Sequence, residues 1–297
     1  MKIKKIISTN IVFLLFISTF VVFLTQSSQP SIADFSSNNS AADSKLAAYV
    51  DRGHIYIEND TALAFFSNSG SGAAGDPYVI DNYNITSSNS NGITITGISQ
   101  YVSIRDNLIQ VSDSGIFLDG VTSGLVSIVN NTAVLCDIGI ELSDSPNMLV
   151  SDNNCSSSSS IGIYLDYSPH CEVFDNTCDG NWLGMRVYLS NNCTVKGNTV
   201  SNGEFGMEFE TSESAWIEDN FCANNVQAAI TFDNGCHYST LTLNYFSNNF
   251  QGMYLDSSEE LTITRNTCSV NGGEGLFLLN TVFCLLVIIT SYMLIQD

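Results

Sequence analysis

Basic residues are scarce in this chain: nine Lys and Arg stand against thirty Asp and Glu, for a net charge of −21. Nucleic acid and anionic membrane surfaces both need a basic footprint, so the composition excludes both as partners and favours cation binding or an acidic exported surface. Long helical runs are missing too. Gly, Asn, Asp or Ser interrupts the sequence every four to six residues, which excludes a helical solenoid, whose helices need ten or more residues at helical spacing. The Leu signature of leucine-rich repeats is absent, and no helix balances the strands. Histidine is limited to three residues. His170-Cys171 and Cys236-His237 each set two soft ligands side by side, but they lie three coils apart, roughly 14 Å at the sheet spacing, too far to share one ion.

Repetition is what the chain does have. GIYLDYSPHCEVFDNTCDGNWL (residues 162–183) is followed at once by GMRVYLSNNCTVKGNTVSNGEF (184–205), which restates it almost position for position. The opening Gly recurs at Gly92, Gly115, Gly139, Gly162, Gly184, Gly206, Gly252 and Gly275, with Ala229 in the one gap, a step of 22 to 24 residues that signals stacked repeats. Apolar residues fall one and three places after the Gly, as in Ile163 and Leu165 or Met207 and Phe209, and that alternation is the period of a strand. A Ser or Thr follows (Ser145, Ser168, Ser190, Ser212, Ser258, Thr281), then a second alternating run, then a turn built on Asn. Asn153, Asn176, Asn198, Asn220 and Asn266 share one place, with Asn107, Asn131 and Asn244 offset by a residue or two. Each coil is therefore two or three short strands, and stacking at about 4.8 Å aligns the asparagines for amide-to-amide bonding.

The expected fold is all-β: a single-stranded right-handed parallel β-helix solenoid of about nine coils with a short N-terminal capping helix. The repeats resemble the secreted β-helix proteins with pectin-lyase-like repeats, of the carbohydrate-binding and sugar-hydrolase type that includes the β-helix protein of copper-enzyme maturation. The resemblance covers roughly residues 54–286, is specific for fold and says little of function. GSGAAGDPYVIDNYNI (70–85) looks like the lead-in such proteins place before their first full coil.

Residues 1–33 read as a signal peptide: a basic start, an apolar run from Ile11 to Leu24, and Ser31 and Ala33 at the cleavage end. If uncut, the same run serves as an anchor; either way the repeats are exported, to the cell surface or beyond it. A flexible lead segment spans 34–53, a cap and first partial coil 54–91, and the repeats 92–274. Within HIYIENDTALAFF (54–66) a strand precedes a helix capped by Asp60 or Thr61. Residues 275–297 are either a partial last coil of a truncated array or a membrane segment, since Leu276 to Ile295 is apolar and just long enough to span a bilayer. The nine Cys follow the repeat: Cys171, Cys193 and Cys284 in one inward column, Cys155, Cys178, Cys222 and Cys268 in another. Buried free thiols and disulfides between stacked neighbours are both open. Sequons at Asn38, Asn59, Asn84, Asn130, Asn154 and Asn192 are candidate glycan carriers.

The column that carries chemistry points outward, two places after each Gly: Thr94, Phe117, Glu141, Tyr164, Arg186, Glu208, Thr231, Tyr254, Phe277. Two residues on, the same face carries Thr96, Asp119, Ser143, Asp166, Tyr188, Glu210, Asp233, Asp256 and Leu279. Tyr beside carboxylates and Arg suits a polysaccharide or surface glycan, because the ring takes the apolar face of a sugar and the charged groups bond its hydroxyls. The candidate ligand-binding residues are Glu141, Tyr164, Arg186, Tyr188, Glu208 and Tyr254, with Arg186 the one nearby group able to grip a uronate carboxylate bidentately. Glu208, Glu210, Asp233 and Asp256 crowd like charges, so either calcium sits among them, one is protonated, or they splay into water. No catalytic residue is assigned: an Asp-Asp pair is missing and no His enters the acidic column, as a polygalacturonase-type set would require. The sequence thus supports a structural or carbohydrate-binding surface protein, with a polysaccharide lyase or glycoside hydrolase as the alternative; its short turns, with no wall for a cleft, lean toward binding.

Overall fold

The computed structural model describes residues 49–122, 124–282, 285–287 and 290–292. They form a parallel β-solenoid of about nine turns with one short helix. The strands stack into sheets in strict coil order. A ten-stranded front sheet runs from Ile55–Ile57 to Leu276–Leu279, and a second ten-stranded sheet from Tyr78–Asp81 to Leu285–Val287. A third face is divided between a four-stranded and a six-stranded sheet. Along the front sheet Met185 pairs with Met207, Met207 with Ile230 and Ile230 with Met253, so identical places stack and each inner column is continuous. Ile163, Leu165, Val187, Phe209, Phe232 and Leu255 are buried in one core that runs the length of the stack.

Buried polar ladders turn the corners. Asn107, Asn131, Asn153, Asn176, Asn198, Asn220, Asn244 and Asn266 form one unbroken column, each backbone N–H and Nδ2 donating to the Oδ1 of the next. Asn107, Asn131 and Asn244, offset in the sequence, are in register here because the extra residues of their coils are absorbed elsewhere. Ser145, Ser168, Ser190 and Ser212 build a second column through backbone N–H to Oγ bonds, and Cys236 and Ser258 continue it. A further column, Asn225, Asn249 and Asn271, with Asn181 one coil-pair earlier, caps the third corner. These side chains accept from the backbone N–H groups that a bend takes out of the ladder, so those amides stay paired where the corners are buried. The residue before each ladder Asn is left-handed, as at Asp152, Asp175 and Asp219, where Asp, Asn or Gly is the least costly choice. The repeating Gly has a packing cause: a Cβ on Gly184 would lie 2.1 Å from Val200 Cγ1.

The N-terminal cap is the helix Asp60–Phe66, whose N-cap is Asn59, one residue before the expected Asp60: its Oδ1 accepts the Ala62 N–H. Order begins earlier than His54, because Val50–Arg52 pairs in parallel with Tyr83–Ser87 and adds a strand to the third face. At the other end, Leu276–Leu279, Leu285–Val287 and Thr290–Tyr292 pair with the preceding coil as three more strands. Among the described residues no helix is long and apolar enough to cross a membrane. The signal-peptide reading and Asn38 lie outside the described residues. The eight described cysteines are free and buried; Cys284 lies outside them.

Candidate functional site

Six neighbouring front strands, Ile138–Ser143, Ile161–Asp166, Leu183–Tyr188, Phe205–Glu210, Ala228–Asp233 and Gln251–Asp256, place the candidate residues. Because side chains alternate along a strand, residues two apart share the outer face and the apolar ones between them go to the core. The first outward column is realised in full: Glu141 pairs with Tyr164, Tyr164 with Arg186, Arg186 with Glu208, Glu208 with Thr231 and Thr231 with Tyr254. Beside it Asp166 pairs with Tyr188, Tyr188 with Glu210 and Glu210 with Asp233.

Arg186 is the centre of the arrangement. Its Nη2 donates to Glu210 Oε2 at 2.6 Å, and its Nε stands 3.1 Å from Glu208 Oε1. The guanidinium also lies over the rings of Tyr164 and Tyr188, at 5.8 and 5.3 Å from their centroids, within cation–π range. Tyr167, at the turn that follows Asp166, meets Tyr188 edge-on at 6.0 Å. Tyr254 stacks on Phe277 at 5.3 Å with rings 11° from parallel, two coils from Glu208. The cluster Tyr164, Arg186, Tyr188, Glu208 and Glu210 is thus brought together, with Glu141 at one side and Tyr254 at the other.

Burial sets the electrostatics. Glu141 is raised above the usual carboxylate range by burial, against a hydrogen bond from Ser114 Oγ, with Asp113, Asp166 and Asp137 adding repulsion. Glu208 is raised by burial, partly offset by Arg186, while Glu210 and Asp233 push it further. Burial and then Asp256 and Glu210 raise Asp233. Burial, chiefly, pushes the Tyr164 hydroxyl up to about 12.

Two sequence expectations change in the structure. The guanidinium expected to face a uronate is already engaged by Glu208 and Glu210, a contact that column spacing alone could not reveal. Of the four residues expected around calcium, those same two have Arg186 as their counter-charge, while Asp233 and Asp256 stack beyond its reach; among the described residues no group of three or more His, Cys, Asp or Glu is placed to hold a metal ion. His170 and His237 do not meet: His237 Nδ1 accepts the Glu259 N–H, and His170 N–H donates to Asn191 O. Asp166 and Tyr167 lie outside the candidate set, yet both border the Arg186 cluster. Asp166 was legible from its column, whereas Tyr167 sits in a left-handed turn that no periodicity marks.

The family described as periplasmic copper-binding protein (NosD) matches the chain over residues 21–185 and 128–274. The chain belongs to the NosD family. No curated protein matches it in sequence. Among solved structures it is similar to an A-module of mannuronan C-5 epimerase from Azotobacter vinelandii, at 12% identity and a TM-score of 0.61, over 84% of this chain and 88% of that one. It is also similar to the enzymatically active domain of tailspike protein 2 of bacteriophage CBA120, at 10% identity and a TM-score of 0.58, over 79% of this chain but only 43% of that one. The catalytic unit of a GH87 α-1,3-glucanase from Streptomyces thermodiastaticus follows at 13% identity and a TM-score of 0.50, over 76% and 52%. At such identities the likeness carries the pectin-lyase-like fold alone. This NosD-family chain shares its solenoid with enzymes of several chemistries, and its function has to be argued from its own face.

Proposed function

We propose that this NosD-family protein is exported and binds a glycan along its front sheet, centred on Arg186, without turning it over. The observation that carries the reading is the half-exposed cluster in which Tyr164 and Tyr188 flank a guanidinium fixed by two carboxylates. Fixed polar groups between aromatic rings bind a sugar at small entropic cost, since little is left to order. Connections such as that from Tyr188 to Thr194 are short, so among the described residues no wall rises beside the face to bury a scissile bond, which favours binding over catalysis. The export reading draws on the family's periplasmic description, and solved neighbours named for mannuronan and α-1,3-glucan support a carbohydrate ligand. Arg186 supplies Glu208 and Glu210 with positive charge, so the binding needs no added calcium.

Copper, which the family description implies, does not fit these residues. Soft imidazole, thiolate and thioether ligands must converge to hold it, and among the described residues the cysteines meet only in pairs, Cys155 with Cys178 and Cys171 with Cys193, inside the core and with no group of three or more His, Cys, Asp or Glu around them. A second reading, as polysaccharide lyase or glycoside hydrolase, draws on Glu141, whose raised carboxyl would suit a general acid. A glycan array probed with the full chain, in parallel with reducing-sugar and unsaturated-product assays, separates the readings. Binding that Tyr164→Ala and Tyr188→Ala each weaken about tenfold, unchanged by calcium and without product, is expected. Product formation lost in Glu141→Gln would establish the enzyme, and absence of any binding would leave a structural rod.

A further inference from the structure

Asparagine followed by glycine is a step at which a chain can modify itself, because glycine has no Cβ to keep its peptide nitrogen from the asparagine Cγ. The chain has four such steps: Asn91-Gly92, Asn202-Gly203, Asn234-Gly235 and Asn271-Gly272. In three of them the stacking of coils ties the nitrogen down. Gly92 N–H donates to Ser114 O at 2.9 Å, Gly203 N–H to Asn225 Oδ1 at 3.0 Å and Gly272 N–H to Asn249 O at 2.8 Å. Their carboxamides are held as well: Asn91 Oδ1 accepts the Ser114 N–H, Asn202 Nδ2 donates to Asp179, and Asn271 is buried in its ladder.

Asn234-Gly235 differs, and the repeat gives the reason. Glu210 pairs with Asp233, 23 positions on, whereas Trp216 pairs with Thr240, 24 positions on. Cys236 takes the place in the serine column that Ser212 holds one coil earlier, so the extra residue falls between Asp233 and Cys236. An inserted residue has no counterpart in the neighbouring coil, and Gly235 N–H has no partner among the described residues. Both residues of the step are left-handed, at φ 55° and 92°. A side chain at 235 would be strained there, and its Cβ would lie 3.0 Å from His237 Nε2, so the insertion keeps its glycine. Asn234 is exposed, and among the described residues its side chain makes a single, long bond, from Nδ2 to Glu210 Oε1 at 3.4 Å.

We infer that Asn234 is a self-modification site, where the Gly235 nitrogen attacks Asn234 Cγ and the carboxamide is converted to a carboxylate. The bond from the Gly235 nitrogen to Cγ forms, the Cγ–Nδ2 bond breaks, and the leaving nitrogen takes the Gly235 proton and departs as ammonia. Water then opens the cyclic imide at either carbonyl, leaving Asp or its β-linked isomer. At the other three steps the same attack must wait for a local opening that frees the nitrogen. The product carries a negative charge where an amide now donates to Glu210, the carboxylate that Arg186 Nη2 bonds at 2.6 Å. The front face therefore gains charge as the protein ages, whatever that face binds.

The test incubates the full chain at mildly alkaline pH in water enriched in heavy oxygen, folded and in urea, and follows label uptake over days by peptide mapping with mass spectrometry. In the folded chain Asn234 should take up label at least about tenfold faster than Asn91, Asn202 and Asn271, because those three must open first. In urea all four steps should convert alike. Asn234→Gln, whose longer side chain closes the ring far more slowly, should lose the modification at this place and leave the other three rates unchanged. Conversion of any of the other three steps in the folded chain as fast as Asn234 would overturn the inference. So would an Asn234 that converts in urea yet stays intact in the folded chain, since a free nitrogen would then not be enough.

Discussion

Replacing Asn198 by Ala removes one rung from the middle of the longest buried ladder. Asn198 is fully buried, and its Nδ2 donates to Asn220 Oδ1 at 3.0 Å, Val173 O at 2.8 Å and Lys196 O at 3.1 Å. Its Oδ1 accepts from the backbone N–H and Nδ2 of Asn176, at 2.9 and 3.0 Å. Truncation strands the Asn176 N–H in the core, at about 1–3 kcal/mol, and removes further bonds worth about 1 kcal/mol each, for a total of about 3–5 kcal/mol. That is a large part of the stability of an ordinary domain and should lower the melting temperature by about 10 °C or more. Asn198→Asp keeps the acceptor but turns a carboxylate toward Asn220 Oδ1 and Val173 O, so it should be no less damaging than Ala. Because each coil of a solenoid contacts only its neighbours, the defect should also split unfolding into two transitions, one for each side of the missing rung. Thermal unfolding of the full chain, followed by circular dichroism, is the assay, with exposed Asn154→Ala as the control. A loss at Asn198 no larger than that control, expected within about 0.5 kcal/mol, would refute the ladder as a source of stability.

Three further outcomes follow from the packing and the charge. Gly184→Ala should be strongly destabilising, because its Cβ would collide with Val200 and approach Gly206 O at 2.8 Å, whereas Gly53→Ala, with nothing within 4 Å, should unfold like the wild type. Burial pushes the Cys136 thiol up to about 11 and those of Cys236 and Cys268 to about 12, so alkylation of the native chain at pH 8 should be negligible until denaturant is added; rapid labelling of any of the three would show that the core is open. Burial raises Glu141, Asp166, Glu208 and Asp233, so each binds its proton more tightly folded than unfolded. Their contribution is full below the unfolded values of about 4 and is lost as pH rises through the folded ones. The melting temperature should therefore climb as pH drops from 7 toward about 5, less steeply in Glu141→Gln with Asp233→Asn; a fall over that range would contradict the burial of these groups.

Much of this was legible because a solenoid makes sequence period and spatial neighbour the same thing. The recurrence of Gly162, Gly184 and Gly206 is a demand for space at one corner, and the outward columns from Thr94 to Phe277 follow from counting two residues on. What the period could not carry is whatever occurs once or breaks the pattern. Arg186 has two carboxylates within reach, and their grip on it depends on rotamers rather than on spacing. The column through Asn225, Asn249 and Asn271 was hidden because Ser158 and Gly203 stand where earlier coils would need Asn. Left-handed backbone at Leu189, Leu243 and Val270 runs against residue preference, and the sheets on either side hold it in place. The strand Val50–Arg52 is too short to show a period, and the apolar C-terminal stretch offers helix and strand readings that only pairing with the preceding coil separates.

Hydroxyl-radical footprinting of the full chain, with and without the oligosaccharide that binds it best, bears most directly on the glycan-binding face. Tyr164, Tyr188 and Tyr254 on the front sheet should be protected, and Trp216 on the second sheet and Tyr245 on the third should oxidise as before. Protection of Trp216 or Tyr245 with Tyr188 unchanged would place the ligand on another face and contradict the assignment.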